Sequence, residues 1–193
     1  MPRGLVVGLA LGLACNALQA QTNARFVIMV SGEVSPASPE ATVEVWAAWD
    51  QPNPGVFAFG AGDYDLVADA GAFTSAGLLL GRNPPNSAGT PLGNRVVGAA
   101  MGQLVCVPVT PPGPSRANPI ALATYTWTTT SFAPRTVDIF TDATTTFVLE
   151  GPGGCANYVS VFVPGSASIR VTPTPGVFVV LSLAGLCAAK RRR

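Results

Sequence analysis

The chain is limited above all by how often its apolar segments are interrupted. Clusters of turn-forming residues recur at Asn53-Pro54-Gly55, Asn83-Pro84-Pro85-Asn86, Pro111-Pro112-Gly113-Pro114 and Gly151-Pro152-Gly153-Gly154. Proline lacks the amide that an interior helical turn needs, and glycine loses the most backbone entropy on ordering, so such punctuation leaves no room for long helices. Between the clusters lie short segments rich in Val, Ile, Thr, Phe and Trp: RFVIMVSG, ATVEVWAAWD, GVFAFGAGDYDLVAD, AGLLLG, NRVVGAAMGQLVCV, ALATYTWTTT, RTVDIFTD, TFVLEG, NYVSVFV and ASIRV. Their length and makeup read as strands.

Several of these segments alternate with the period of a pleated strand. Val43, Val45, Ala47 and Trp49 share one face, while Glu44, Trp46, Ala48 and Asp50 share the other. Trp46 and Trp49 thus fall on opposite faces, and the pattern does not choose which of them is in the core. Ile169 and Val171 likewise oppose Ser168, Arg170 and Thr172. Strands this short and this numerous predict an all-β chain folded as a single two-sheet β-sandwich.

The two ends follow a different logic. Arg3 precedes the apolar run Leu5 to Ala14, and ALQA ends at Ala20 before Gln21-Thr22-Asn23, the layout of a secretory signal over residues 1–20. A second reading makes Cys15 a lipid-bearing cysteine, although Gly12 and Leu13 fit its approach poorly. At the other end, Pro173-Thr174-Pro175 leads into the apolar run Gly176 to Ala189 and then Lys190, Arg191, Arg192 and Arg193. Fourteen residues as a helix span about 21 Å, short of a hydrocarbon core near 30 Å, so a single C-terminal transmembrane helix here is marginal as a lone permanent anchor. The terminal cations would stay cytoplasmic and leave residues 21–172 outside.

Between Gln21 and Thr172, six arginines (Arg25, Arg82, Arg95, Arg116, Arg135 and Arg170) face all ten acids, a net charge of −4. Scattered arginines on an acidic domain do not form the clustered basic surface that nucleic acid requires, nor a polybasic membrane patch. About 150 residues suffice for one core. Of the four cysteines, Cys106 and Cys155 alone fall in this part. In an oxidising compartment they pair as a disulfide or remain two small buried thiols.

With no histidine in the chain, a Ser-His-Asp triad, a Cys-His pair and a His-ligated metal are excluded. No cofactor is called for. Asp63, Asp65 and Asp69 could offer oxygen ligands to Ca²⁺, with Asp63 and Asp65 on one side of a strand, but the spacing lacks the glycine and closing glutamate of an EF-hand. Otherwise they are a surface strand and an acidic turn. Thr124, Thr126, Thr128 and Thr130 alternate with Ala123, Tyr125, Trp127 and Thr129. Such a ladder could dock an exopolysaccharide, with Tyr125 and Trp127 stacking on sugar rings, or it could be solvent-facing threonine above core aromatics.

Two family resemblances follow. TVEVWAAWD, GVFAFGAGDYDLVADAGAF, a Gly/Pro-rich middle, IALATYTWTTTSFAPRTVDIFTDATTTFVL and VSVFVPGSASIRV resemble the layout of cohesin-type jelly-roll domains from Ala41 to Val171. That resemblance implies a binding or structural module rather than an enzyme. Pro173, Thr174, Pro175 and Gly176, the apolar run and Lys190 to Arg193 resemble the PEP-CTERM sorting signal of bacterial envelope proteins, with Thr174 where that family has glutamate. This second likeness implies an exosortase in the inner membrane as partner, and delivery to the cell surface or medium. The chain is thus expected to be an exported, non-enzymatic surface or matrix protein with a protein or exopolysaccharide ligand. The competing expectation is a secreted carbohydrate-active or Ca²⁺-dependent enzyme or lectin.

Overall fold

The computed structural model describes residues 23–50, 58–80, 86–103, 117–142, 146–150, 157–159 and 161–173. Among them every regular element is a strand. In chain order these are β1 (Asn23–Ser31), β2 (Glu40–Trp49), β3 (Ala58–Ala68), β4 (Ala72–Leu78), β5 (Thr90–Leu92), β6 (Arg95–Gly102), β7 (Ile120–Thr128), β8 (Arg135–Thr141), β9 (Thr146–Glu150), β10 (Asn157–Val159), β11 (Val161–Val163) and β12 (Ser166–Val171). They build two sheets, as the strand pattern predicts. One holds five strands in the order β11-β1-β2-β7-β4; the other holds seven, β10-β9-β3-β6-β5 with β8 beside β3 and β12 beside β8.

The long strand β3 organises the second sheet. One edge pairs with β6, while the other pairs first with β9, from Ala58 to Asp63, and then with β8, from Leu66 to Ala68. β8 and β9 therefore lie end to end along one neighbour. NYVSVFV, read as one strand, divides into β10 in the seven-stranded sheet and β11 in the five-stranded one. A segment that serves two sheets is a corner of the sandwich, which local composition does not reveal. The AGLLLG strand is displaced as well: β4 ends at Leu78, and Leu79 and Leu80 both donate their amides to Leu122 O. The β5–β6 hairpin, closed by Gly93-Asn94, carries a two-residue turn signal that a search for apolar runs passes over.

The inner faces meet as the alternation predicts. Val43, Val45 and Ala47 are fully buried and Trp49 is 4% exposed, so Trp49 is the core tryptophan. Trp46, half-buried on the outer face, donates Nε1–H to Glu44 Oε2 at 3.0 Å. Ala48 shares that outer face yet is buried, beside the Arg25–Asp50 ion pair. A slip between Val45 and Trp46 places Leu122 and Ala123 of β7 both inward, and so sets the phase that buries Tyr125 and Trp127. Each such large apolar side chain contributes about 1.5–3 kcal/mol on burial.

One polar contact joins the sheets inside this core. Tyr64 of β3 and Tyr125 of β7 meet hydroxyl to hydroxyl at 2.7 Å, and Tyr125 donates onward to Ala88 O at 3.0 Å. With that donor spent, the Tyr64 hydroxyl supplies the proton between the two rings. Burial pushes both phenols well above the usual tyrosine range, because neither can ionise without water. Phe26 packs on Tyr64 with ring centroids 4.9 Å apart.

Candidate functional site

Residues opposite each other in antiparallel strands project to the same side of the sheet. The registers Ser166↔Phe140, Phe140↔Val67, Val67↔Arg95 and Arg95↔Leu92 therefore set one row across β12, β8, β3, β6 and β5. That row faces outward. Phe140 is 41% exposed and Leu92 69%, with Val97 of β6 next to them at 40%. Single exposed apolar residues are ordinary, and an in-register group on one sheet face is a candidate contact surface.

Arg95 stands in the row between Val67 and Leu92. Its Nη2 donates to Asp65 Oδ2 at 3.2 Å and to Asp142 Oδ2 at 3.0 Å, and the other oxygen of Asp65 accepts the Gly98 amide at 2.9 Å. The cause is a bulge: the β3–β6 register slips between Tyr64 and Leu66, which turns the Gly98 amide toward Asp65. Gly98 has φ +70° with nothing within 4 Å of where a Cβ would stand, so conformation and not crowding calls for glycine. The result is a pinned guanidinium flanked by apolar side chains. It offers shape and directed N–H donors for recognition.

The calcium expectation meets this geometry directly. Asp63 and Asp65 do share the outer face of β3, beside a depression of about 90 Å³ that also touches Gly98. Asp65, however, is already engaged by the guanidinium and an amide. Asp69 lies beyond the end of β3, its amide bonded to Asp138 O at 3.0 Å. Among the described residues no group of three His, Cys, Asp or Glu is placed to hold a metal ion. A depression of that size is also well below the roughly 300 Å³ of a small-molecule site.

The threonine ladder divides as its plain reading has it. Thr124, Thr126 and Thr128 face outward on the five-stranded sheet, where Ser75 Oγ donates to Thr126 Oγ1 at 2.7 Å. Tyr125 and Trp127 are 1% and 0% exposed, core aromatics as that reading has it, which sets aside the alternative that they stack on sugar rings. Thr129 is buried and Thr130 exposed beyond the strand. Of the sorting residues, Pro173 is described and half-buried just past β12. Thr174, Pro175, Gly176, Lys190, Arg191, Arg192 and Arg193, the pair Cys106 and Cys155, and residues 1–20 lie outside the described residues. Sequence reading missed the Arg95 row because its members come from five separate strands.

Fold and site together define an all-β, two-sheet sandwich with one outer face rich in exposed apolar groups around an ion bridge. Its resemblance is to cohesins. The seventh ScaB type I cohesin from Pseudobacteroides cellulosolvens matches with a TM-score of 0.51 at 17% identity, covering 79% of this chain and 94% of that one. The sixth cohesin of scaffoldin B from Acetivibrio cellulolyticus, solved with a mutant Cel5 dockerin, matches at 0.48 and 11% identity over 77% and 99%. CaCohA2 from Clostridium acetobutylicum gives 0.47 at 17% identity over 79% and 92%. No family model and no curated protein matches the sequence. At these identities the likeness concerns the fold.

Proposed function

We propose that this chain is an exported, non-enzymatic interaction module of the cell surface or extracellular matrix, which presents the face centred on Arg95 to a protein partner. The observation that carries this reading is the outward row Phe140, Val67, Arg95 and Leu92, in register across four neighbouring strands. Exposed apolar groups around a bridged arginine have the composition of a protein interface core more than that of a sugar platform. The cohesin-like fold supports the same reading, since that sandwich serves as a cohesin in the Pseudobacteroides cellulosolvens neighbour.

Residues 1–20 act as the export signal, 21–172 as the exported domain and 173–193 as a PEP-CTERM-like sorting segment processed by an exosortase. The tripartite layout of Pro173 to Arg193 is the support for this part. Mass spectrometry of both termini, on protein recovered separately from membrane and medium, tests it. Intact Arg193 on all exported protein would rule out processing. The face is tested by comparing extracellular proteins retained by the wild-type chain and by a Leu92→Asp/Phe140→Asp variant of matching unfolding midpoint. Equal retention by both rules out the Arg95 face.

A further inference from the structure

The outer face of the five-stranded sheet has a composition of its own. Val27, Trp46 and Ala121 stand in one row across β1, β2 and β7, and Met29, Glu44 and Thr124 in the next. Residues opposite each other in antiparallel strands share a side of the sheet, so Trp46 lies on the same face as the threonine ladder. Tyr125 and Trp127 of that ladder turn inward, and among the described residues Trp46 is the aromatic group of this face.

Trp46 spends its one polar atom within the sheet. Its Nε1–H donates to Glu44 Oε2 at 3.0 Å, so what the half-buried indole presents to solvent is ring surface, while Glu44 keeps its second oxygen as an acceptor. Toward β4 the face is low and bears hydroxyls: Gly77 stands opposite Thr124, and Ser75 Oγ donates to Thr126 Oγ1 at 2.7 Å, which leaves the Thr126 hydroxyl proton to donate outward. Toward β1, Met29 is 43% exposed. An aromatic and apolar strip therefore runs beside a strip of hydroxyls, with a carboxylate between them.

A sugar ring has the same two-sided character. Its C–H faces stack on an aromatic ring, and the hydroxyls on its rim donate to carboxylates and exchange hydrogen bonds with other hydroxyls. Charge narrows the class: Glu40 and Glu44 both stand outward on β2, and Arg25 is bridged to Asp50 at 3.1 Å, so the described part of this face is net negative and repels an anionic polymer. The cores of protein interfaces are depleted of Ser, Ala and Glu, the residue types around Trp46, which speaks against a protein here. We propose that this face is a second binding surface, on which a neutral polysaccharide lies across β2, β7 and β4 with one ring stacked on Trp46 and its hydroxyls bonded to Glu44 and Thr124. The low relief suits an extended or insoluble chain, since a small free sugar needs a pocket. This surface lies on the sheet opposite the Arg95 face, and the inference does not rest on the protein-binding reading of that face.

The test mixes the full chain, in mild detergent, with amorphous cellulose, chitin or starch granules, and with calcium-alginate gel as the anionic counterpart, and measures the protein left in solution. At least one of the three neutral polymers is expected to deplete the chain, and alginate to leave it in solution. Trp46→Ala is expected to weaken that binding about tenfold, and Trp46→Tyr, which keeps a ring, to restore most of it. Glu44→Gln, which removes the charge but keeps an acceptor, is expected to weaken it about threefold. Acrylamide quenching locates the contact: Trp49 and Trp127 are 4% and 0% exposed, so the quenchable emission belongs to Trp46, and a soluble derivative of the retaining polymer should shield it. That measurement uses the wild-type chain and decides even where Trp46→Ala fails to fold. No depletion by any neutral polymer, depletion unchanged in Trp46→Ala, or alginate bound as well as the neutral polymer overturns the proposal. Depletion with Trp46 still fully quenched assigns the sugar to another surface and overturns it too.

Discussion

Replacing Tyr125 by phenylalanine removes one oxygen and unsettles two other groups. The Tyr125 hydroxyl accepts from Tyr64 at 2.7 Å and donates to Ala88 O at 3.0 Å, linking the two sheets and the approach to β5. Without it, the Tyr64 O–H is a donor left 3% exposed with no acceptor, and the Ala88 carbonyl loses its bond. A stranded buried polar group costs about 1–3 kcal/mol, so Tyr125→Phe is expected to destabilise by about 2 kcal/mol. Tyr64→Phe removes the donor and strands nothing else, for about 1 kcal/mol. In the double variant no hydroxyl remains to be stranded on either ring. Its cost is then about 1.5 kcal/mol, roughly 1.5 less than the sum of the single changes. Urea unfolding followed by tryptophan fluorescence measures all three, because Trp49 and Trp127 sit in the same core. Additivity within about 0.5 kcal/mol would refute the relay of hydrogen bonds from Tyr64 through Tyr125 to Ala88.

The same pair sets an alkaline limit. Both phenols are raised in the folded state, so their contribution is complete below the unfolded tyrosine pKa near 10 and is lost as pH rises beyond it; unfolding midpoints should fall above about pH 10, and less so in the double phenylalanine variant. Gly71→Ala should cost about 3 kcal/mol or more, since φ is +79° and a Cβ would lie 2.3 Å from Trp127 Cζ2, whereas Gly98→Ala, at φ +70° in open space, should cost about 1–2, a contrast read in thermal melts. Arg95→Met, which keeps much of the apolar stem and removes two half-exposed ion pairs, should lower stability by only about 1 kcal/mol and lose that difference in 1 M salt. A much larger cost would mean that Arg95 supports the fold more than the surface.

What could be read from residues in order was the class of fold and the facing of single strands. Val43, Val45, Ala47 and Trp49 point inward as their alternation demands, because strand period is a local property of the backbone. Ile169 and Val171 do the same at the end of the domain. The choice between Trp46 and Trp49 was not local. It depended on which face of β2 met the other sheet, and that is decided by partners far along the chain.

The candidate surface belongs to this second kind. Arg95, Asp65 and Asp142 are scattered in sequence, and only the pairing of β3 with both β6 and β8 brings them within about 3 Å of one another. Asp63-Tyr64-Asp65 looked like a ligand run when read alone, yet the sheet gave one of its carboxylates to an arginine and its tyrosine to the core. Arg135 and Arg170 come onto adjacent strands through the β8–β12 register, but on opposite faces of the sheet. Sequence alone determined that this chain makes strands, lacks histidine chemistry and carries distinctive ends, since these depend on composition and local period. The tertiary structure decided which residues stand together, because sheet register is set by the burial of whole faces, and a single slip, as at Leu122–Ala123, exchanges what is core for what is surface.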